Sequence, residues 1–406
     1  MPGVRGTPDP WGECGFGATM PPWDAPGRNR TYGLALRRRT LYPLSYRRWG
    51  RFYRPIGPRS DTLAAMRLHA RTFTLEYLEP FVISRSADTS SQVVQVAIEH
   101  DGVVGFGEGA PDEHYDEGPD SARDWILEHV EPLLGDDPFA TEAILGRLAQ
   151  LPGQMAAKCA VDGALHDLTG KLCGQPLWRI LGLDRTPPPT SYTISIDTLE
   201  GTADRAARAA SYKALKIKVG GPGDLERVRI VRDAAPLALI RVDANEAWTV
   251  ESTRELVPEL VSLGVELVEQ PLPAADRDGY AELHADGLPI PIVVDESCHT
   301  LADVAPAGRL ADGINIKLTK SGGIREALRM IHAARALDLR VMLGCMNEST
   351  LGIAGAAQIS PLVDVVDLDG HLLNANDSHT GLGFADGRVL PGDGPGLGVD
   401  PVDAWP

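Results

Sequence analysis

Charged residues close a series of short apolar stretches at a regular interval. Leu215-Lys216-Ile217-Lys218-Val219 reads as a β-strand. Side chains alternate along a strand, so Lys216 and Lys218 share one face and the three apolar residues share the other. Asp243 ends "RVD", Glu269 ends "LVE", Asp295 ends "VVD" and Lys317 ends "INIK". The steps from Lys218 are 25, 26, 26 and 22 residues, each about one strand plus one helix. Charges recurring at that period gather at one end of a barrel. Three converging carboxylates repel one another unless a cation neutralises them. Hard oxygen donors suit Mg²⁺ first and Mn²⁺ second, and no His/Cys cluster suggests zinc.

This arrangement suggests acid–base chemistry at carbon. The ammonium of Lys216 is expected to lower the pKa of Lys218, and a lysine tuned towards neutrality can remove a proton. A C–H beside a carboxylate becomes acidic enough when a metal ion stabilises the enediolate. Lys317, on the far side of the carboxylates, would return the proton to the opposite face and invert the stereocentre. Simpler explanations exist for single residues. One acid at a strand end serves equally as a salt-bridge or helix-cap partner, and strand lysines can guard an exposed edge. The whole set in register favours the metal and lysine reading.

The elements follow from this spacing. "MRLHARTFTLEYLEPFVIS" and "SQVVQVAIEHDGVVGFGEGAP" read as strands with a hairpin turn at His100-Asp101-Gly102. Helical patterns cover Asp120–Leu134, Phe139–Leu151 and Gly153–Leu172. Residues 66–185 thus form an α+β domain. Eight strand segments follow, from Tyr192–Ile196 to Val363–Asp367, with helical stretches such as Thr249–Leu263 and Ile324–Leu337 between them. The fold class is α/β, a barrel over residues 186–370. Residues 371–406 are Gly/Pro-rich and are expected to return to the first domain.

The ordered set "KIKVG", "DANEAW", "EQPLP", "DESCHT" and "NIKLTKSGG" resembles the enolase superfamily, and within it the muconate-lactonizing subgroup. The resemblance covers about residues 66–400. It implies a (β/α)7β modified TIM barrel under an N-terminal α+β capping domain. It also implies Lys218 and Lys317 as acid–base catalysts with Lys216 beside them, and Asp243, Glu269 and Asp295 as Mg²⁺ ligands. "DLDG" resembles the dipeptide epimerases of this group, in which an Asp-x-Asp pair, here Asp367 and Asp369, holds a substrate ammonium. On a strand the two would share a face. "LGCMNES" has the same likeness and would place Cys345 and Met346 in the pocket. The loops Glu79–Ser91 and Gly107–Gly118 would close over the substrate, with Arg85 the candidate for binding a glutamate side chain. The implied reaction is epimerisation of a dipeptide at its C-terminal α-carbon, with L-Ala-D/L-Glu one candidate. An N-acylamino-acid racemase or a cycloisomerase of the same subgroup is the alternative. A non-catalytic enolase-like protein and a nucleic-acid binder are readings of a different class.

Composition narrows the field. A net charge of −17 disfavours nucleic acid as the main partner. No apolar run approaches the ~20 residues a membrane span needs. Five cysteines, Cys14, Cys159, Cys173, Cys298 and Cys345, form no spaced cluster, as expected in a reducing cytoplasm. Residues 1–65 hold eleven arginines, no lysine and four acids, and read as a disordered or misassigned extension. The family leaves a homo-oligomer open. Cys298-His299 is not read as a nucleophile pair, because neighbours in a turn face different ways. "GFGEG" opens no helix and is not a dinucleotide fingerprint. Lys320 with "SGGI" reads as a glycine turn, and His114 and His371 as pocket-edge or surface residues.

Overall fold

The computed structural model describes residues 65–405. The extension read at residues 1–65 lies outside the described residues except for Ala65. Strands β1 (Arg67–Val82), β2 (Ala87–His100) and β3 (Val103–Gly109) form an antiparallel sheet. Asp101 and Gly102 make its expected tight turn, both with positive φ. The first closing loop is shorter than the sequence suggests. Strand pairing runs on past a register shift between Glu76 and Phe81, leaving only a turn at Ile83–Ser86 with Arg85 in it. The helical pattern over Asp120–Leu134 divides into Pro119–His129 and Glu131–Leu134. Pro132 has no N–H to continue an unbroken helix.

Eight parallel strands follow in chain order: β4 (Ser191–Ile194), β5 (Ala214–Lys218), β6 (Leu239–Asp243), β7 (Val265–Glu269), β8 (Ile292–Val294), β9 (Gly313–Lys317), β10 (Arg340–Gly344) and β11 (Val365–Asp367). Each of the eight expected strands is present, with helices in all seven gaps. A parallel bridge from Thr190 to Val366 brings the last strand back to the first. Arg241, 2 % exposed, ties the same seam by donating to Ser191 Oγ and the Val366 carbonyl. Apolar strand and helix faces fill the barrel wall, and a separate cluster fills the space between the antiparallel sheet and its helices. Among the described residues, no helix is long and apolar enough to cross a membrane.

The helix Met155–Cys173 lies flat on β3, which explains "GFGEG". A Cβ on Gly105, Gly107 or Gly109 would come within 2.3, 2.1 or 2.0 Å of a carbonyl oxygen of Ala164, Ala160 or Ala156. The glycines let the helix backbone rest on the strand. The tail closes over the same helix. Leu397 N–H donates to Asp167 Oδ1 at 2.7 Å, and Trp405 stacks on Phe106 at 5.7 Å. We expect Gly107→Ala to cost roughly 3 kcal/mol by overpacking. A lower urea midpoint at unchanged slope would show it. Gly146→Ala, at an open helix position, should leave the midpoint unchanged or raise it slightly.

Candidate active site

Parallel strands put all their carboxyl ends on one face, and the charged residues meet there. Lys216 Nζ lies 2.7 Å from Glu269 Oε2, 2.8 Å from Asp367 Oδ2 and 3.0 Å from Asp243 Oδ2. Lys218 Nζ donates to Asp243 Oδ2 at 2.7 Å and to Asn245 Oδ1 at 2.9 Å. Lys317 Nζ lies 2.7 Å from Asp295 Oδ2 and 3.7 Å from the Met346 sulfur. The two lysines therefore flank the row Asp243, Glu269, Asp295. Asn245, Glu246 and Gln270, in the turns after β6 and β7, all have positive φ. Such backbone outliers cluster at functional sites. Here they let Asn245 reach Lys218, and Gln270 Oε1 accept from Asp295 N–H at 2.7 Å.

Lys216 is ringed by carboxylates. Burial works against its charge, but Asp243, Asp367 and Glu269 outweigh burial and hold its pKa well above the usual lysine value. Burial likewise opposes the charge of Lys317, and Asp295 overrides it. Burial would raise the pKa of Asp243 and of Asp295, yet the neighbouring lysines hold both below the usual carboxylate range. Glu269 is pushed up to about 7 by burial and then by Asp243, with Lys216 opposing.

The three carboxylates are fully buried, yet Glu269 Oε2 and Asp295 Oδ2 accept no well-directed hydrogen bond despite their near lysines. Among the described residues, no three Asp, Glu, His or Cys side chains are already drawn into a closed metal cage. The donor set fits a hard divalent cation nonetheless. It offers three adjacent carboxylates, two of them with an orphaned oxygen, and like charges in need of neutralisation.

The Asp367–Asp369 pair is assembled differently from the expectation. β11 ends at Asp367, and Asp369 has helical backbone angles in the turn beyond it. The two come together through that turn and not by strand alternation. Asp369 Oδ2 accepts from Thr193 N–H at 2.6 Å, and burial followed by Asp367 pushes its pKa up to about 7. Asp367 gives one oxygen to Lys216 and leaves Oδ1 without a partner. Cys345 lies beside this pair, its thiol raised mainly by burial, and Met346 faces Lys317. Arg85 reaches the site but is engaged, 2.9 Å from Glu296 and 3.8 Å from Glu246.

Sequence reasoning missed several residues here. Lys320, read as part of a glycine turn, is buried, and its ammonium donates to the Asp295 carboxylate and to the carbonyls of Asp295, Cys298 and Asn315. The Lys317-x-x-Lys320 spacing at a strand-to-helix turn was the available signal. Asn315 donates to Glu269 Oε1 at 2.8 Å. Tyr115, in a short turn of the second closing loop, sets its ring edge-on to His299 at 4.9 Å. Cys298 is inert, its thiol pushed up to about 12 by burial.

A barrel with Lys, Asp, Glu, Asp and Lys on five successive strands, roofed by an antiparallel sheet and helices, defines the enolase class of enzymes. The chain belongs to the mandelate racemase / muconate lactonizing enzyme family. That family's N-terminal domain matches residues 68–182, and the enolase C-terminal domain-like family matches residues 199–405. The chain is 38 % identical over 331 residues to an L-Ala-D/L-Glu epimerase of Bacteroides thetaiotaomicron, covering 80 % of this chain and 86 % of that one. A substrate-liganded L-Ala-D/L-Glu epimerase from Bacillus subtilis superposes with a TM-score of 0.78 at 32 % identity, covering 82 % of this chain and 98 % of that one. A dipeptide epimerase from Enterococcus faecalis, complexed with Mg and L-Leu-L-Tyr, gives 0.77 at 30 % identity, covering 83 % and 99 %.

Two buried carboxyls outside the lysine row make stability depend on pH. Glu108 of β3 and Glu348 beyond β10 converge on Gly352, where a Cβ would lie 2.8 and 2.7 Å from their oxygens. Burial pushes Glu108 up to about 7 and Glu348 up to about 8, from an ordinary 4.5. The folded chain thus holds protons that the unfolded chain releases. Their contribution is complete below about pH 4.5 and is lost as pH rises through about 7 to 8. Urea midpoints taken across that range should carry this declining component, and Glu348→Gln should reduce the slope.

Proposed function

We propose that this chain is a Mg²⁺-dependent dipeptide epimerase acting at the α-carbon of the C-terminal residue. One observation carries the reading: two lysines flank a carboxylate row, while Asp367 keeps Oδ1 without a hydrogen-bond partner and Asp369 lies beside it beyond the last barrel strand. A dipeptide has matching poles, an ammonium at one end and a carboxylate at the other. Asp367 and Asp369 hold the ammonium, which places the C-terminal α-carbon between Lys218 and Lys317. Asp243, Glu269 and Asp295 would hold Mg²⁺, which would supply positive charge for the substrate carboxylate and so acidify the adjacent C–H. Lys218 takes the proton from one face. Lys317, kept charged by Asp295, delivers one to the other, and the reverse reaction exchanges their roles. Lys216 restrains the carboxylates between them. The sequence relative from Bacteroides and the liganded structures from Bacillus and Enterococcus described above are epimerases of dipeptides, which supports the same assignment here.

In D₂O with Mg²⁺ and L,L-dipeptides, deuterium should enter at the C-terminal residue. Lys218→Ala, Lys317→Ala and EDTA should each reduce inversion of that residue at least about a hundredfold. Asp367→Ala should abolish dipeptide exchange. If it spares turnover of an N-acylamino acid instead, the racemase reading gains. Epimerisation that persists in Lys218→Ala would remove the two-lysine mechanism.

Arg85 is the residue proposed to bind an acidic C-terminal side chain, and to do so it must leave Glu296. Arg85→Leu should lower kcat/KM for L-Ala-L-Glu about tenfold or more, with a much smaller effect on L-Ala-L-Leu. An equal loss for both substrates would remove Arg85 from specificity.

A further inference from the structure

A cavity of about 330 Å³ opens beside the ammonium-binding end of the site. It lies where the end of β1 meets the first barrel strand, and its walls include Tyr77, Leu78, Phe81, Tyr192 and Leu373. Two contacts join it to the catalytic machinery. Thr193, in its wall, donates its N–H to Asp369. Phe81, in the opposite wall, sets its ring 5.9 Å from Lys218 Nζ. The cavity therefore borders both the proposed ammonium site and one of the proposed proton-transfer lysines.

The chemistry of a dipeptide decides what fills this space. The ammonium and the first side chain share one carbon, so an ammonium held by Asp367 and Asp369 turns that side chain towards the space alongside Asp369. An alanine methyl would leave most of the cavity to solvent, since it has room for roughly ten waters. Its charged rim cancels: Arg205 lies 2.5 Å from Glu79 and 3.0 Å from Asp197, and Arg208 lies 2.7 Å from Glu79. Aromatic and aliphatic walls with a neutralised rim favour an uncharged, bulky group.

Resting on the dipeptide-epimerase reading, we propose that this cavity is the subsite for the N-terminal side chain and selects large apolar or aromatic residues over alanine. Glutamate or lysine at that position gains no unpaired partner at the rim. The preference is set by the walls beside Asp369, which do not include Arg85.

The test compares L-Ala-L-Leu, L-Leu-L-Leu and L-Phe-L-Leu, which differ only at the N-terminal residue, using the Mg²⁺-loaded full chain. The readout is kcat/KM for deuterium entry at the C-terminal α-carbon. Leucine and phenylalanine should exceed alanine by about tenfold or more. Leu78→Trp fills the cavity from an exposed position and should bring the ratio towards one, and Ser195→Leu should do the same from within. Efficient exchange of L-Ala-L-Leu with no advantage for the larger residues overturns the subsite. An advantage that survives both filling variants overturns it too. Absence of exchange with all three peptides and with L-Ala-L-Glu overturns the epimerase reading on which it rests.

Discussion

Four acidic side chains from four barrel strands approach one another out of contact with water, and Lys216 touches three of them. Its ammonium lies within 3.0 Å of Asp243, Glu269 and Asp367. Lys317 and Lys320 hold the fourth, Asp295. Taking each ion from water costs several kcal/mol, and mutual attraction recovers that only with good geometry. The fold must therefore supply its stability elsewhere. It does so through the apolar barrel wall, the seam tied by Arg241 and the close contact of helix with β3. The barrel carries the charges, and the charges in turn specify where a cation and a zwitterionic substrate belong.

Much of this was legible in the sequence. Strand ends repeat with the period of the fold, and a charged residue closing an apolar run marks the end where chemistry takes place. That is why all eight strands and every member of the lysine–carboxylate row could be located by spacing. Other features depend on pairings between distant segments, which local patterns do not encode. Asp369 joins Asp367 through a turn that alternation does not describe. Lys320 looked like turn punctuation because its four acceptors come from two other segments, the turn Asp295–Cys298 and β9. Gly107 and Gly109 belong to β3 although they open the expected closing loop Gly107–Gly118, because the reason for them is a helix distant in sequence. Arg85 could be placed near the site, but not its engagement by Glu296.

The roof over the site contributes more than cover. Phe81 and Tyr77 line the space beside Asp369, and Arg85 and Tyr115 approach from the side of Asp295 and His299. In the proposed function different parts of the roof thus meet the two residues of a dipeptide. Changes in one turn of the roof can alter one preference while the lysine row stays as it is.

The way the tail closes over the roof also constrains how the molecule is made. Glu76 is hydrogen-bonded to Asn376 across 300 residues, Gln95 to Ser378 across 283, and Asp167 to Leu397 across 230. Pairings between such distant segments form slowly, because the chain must first close very long loops. The roof is synthesised first but finished last, after residues near 400 have emerged from the ribosome. Until then buried polar groups of the roof, among them the Asp167 carboxylate and the Gln95 amide N–H, lack their final partners. A nascent chain at that stage has all eight barrel strands, while the roof still lacks the tail that pairs with it.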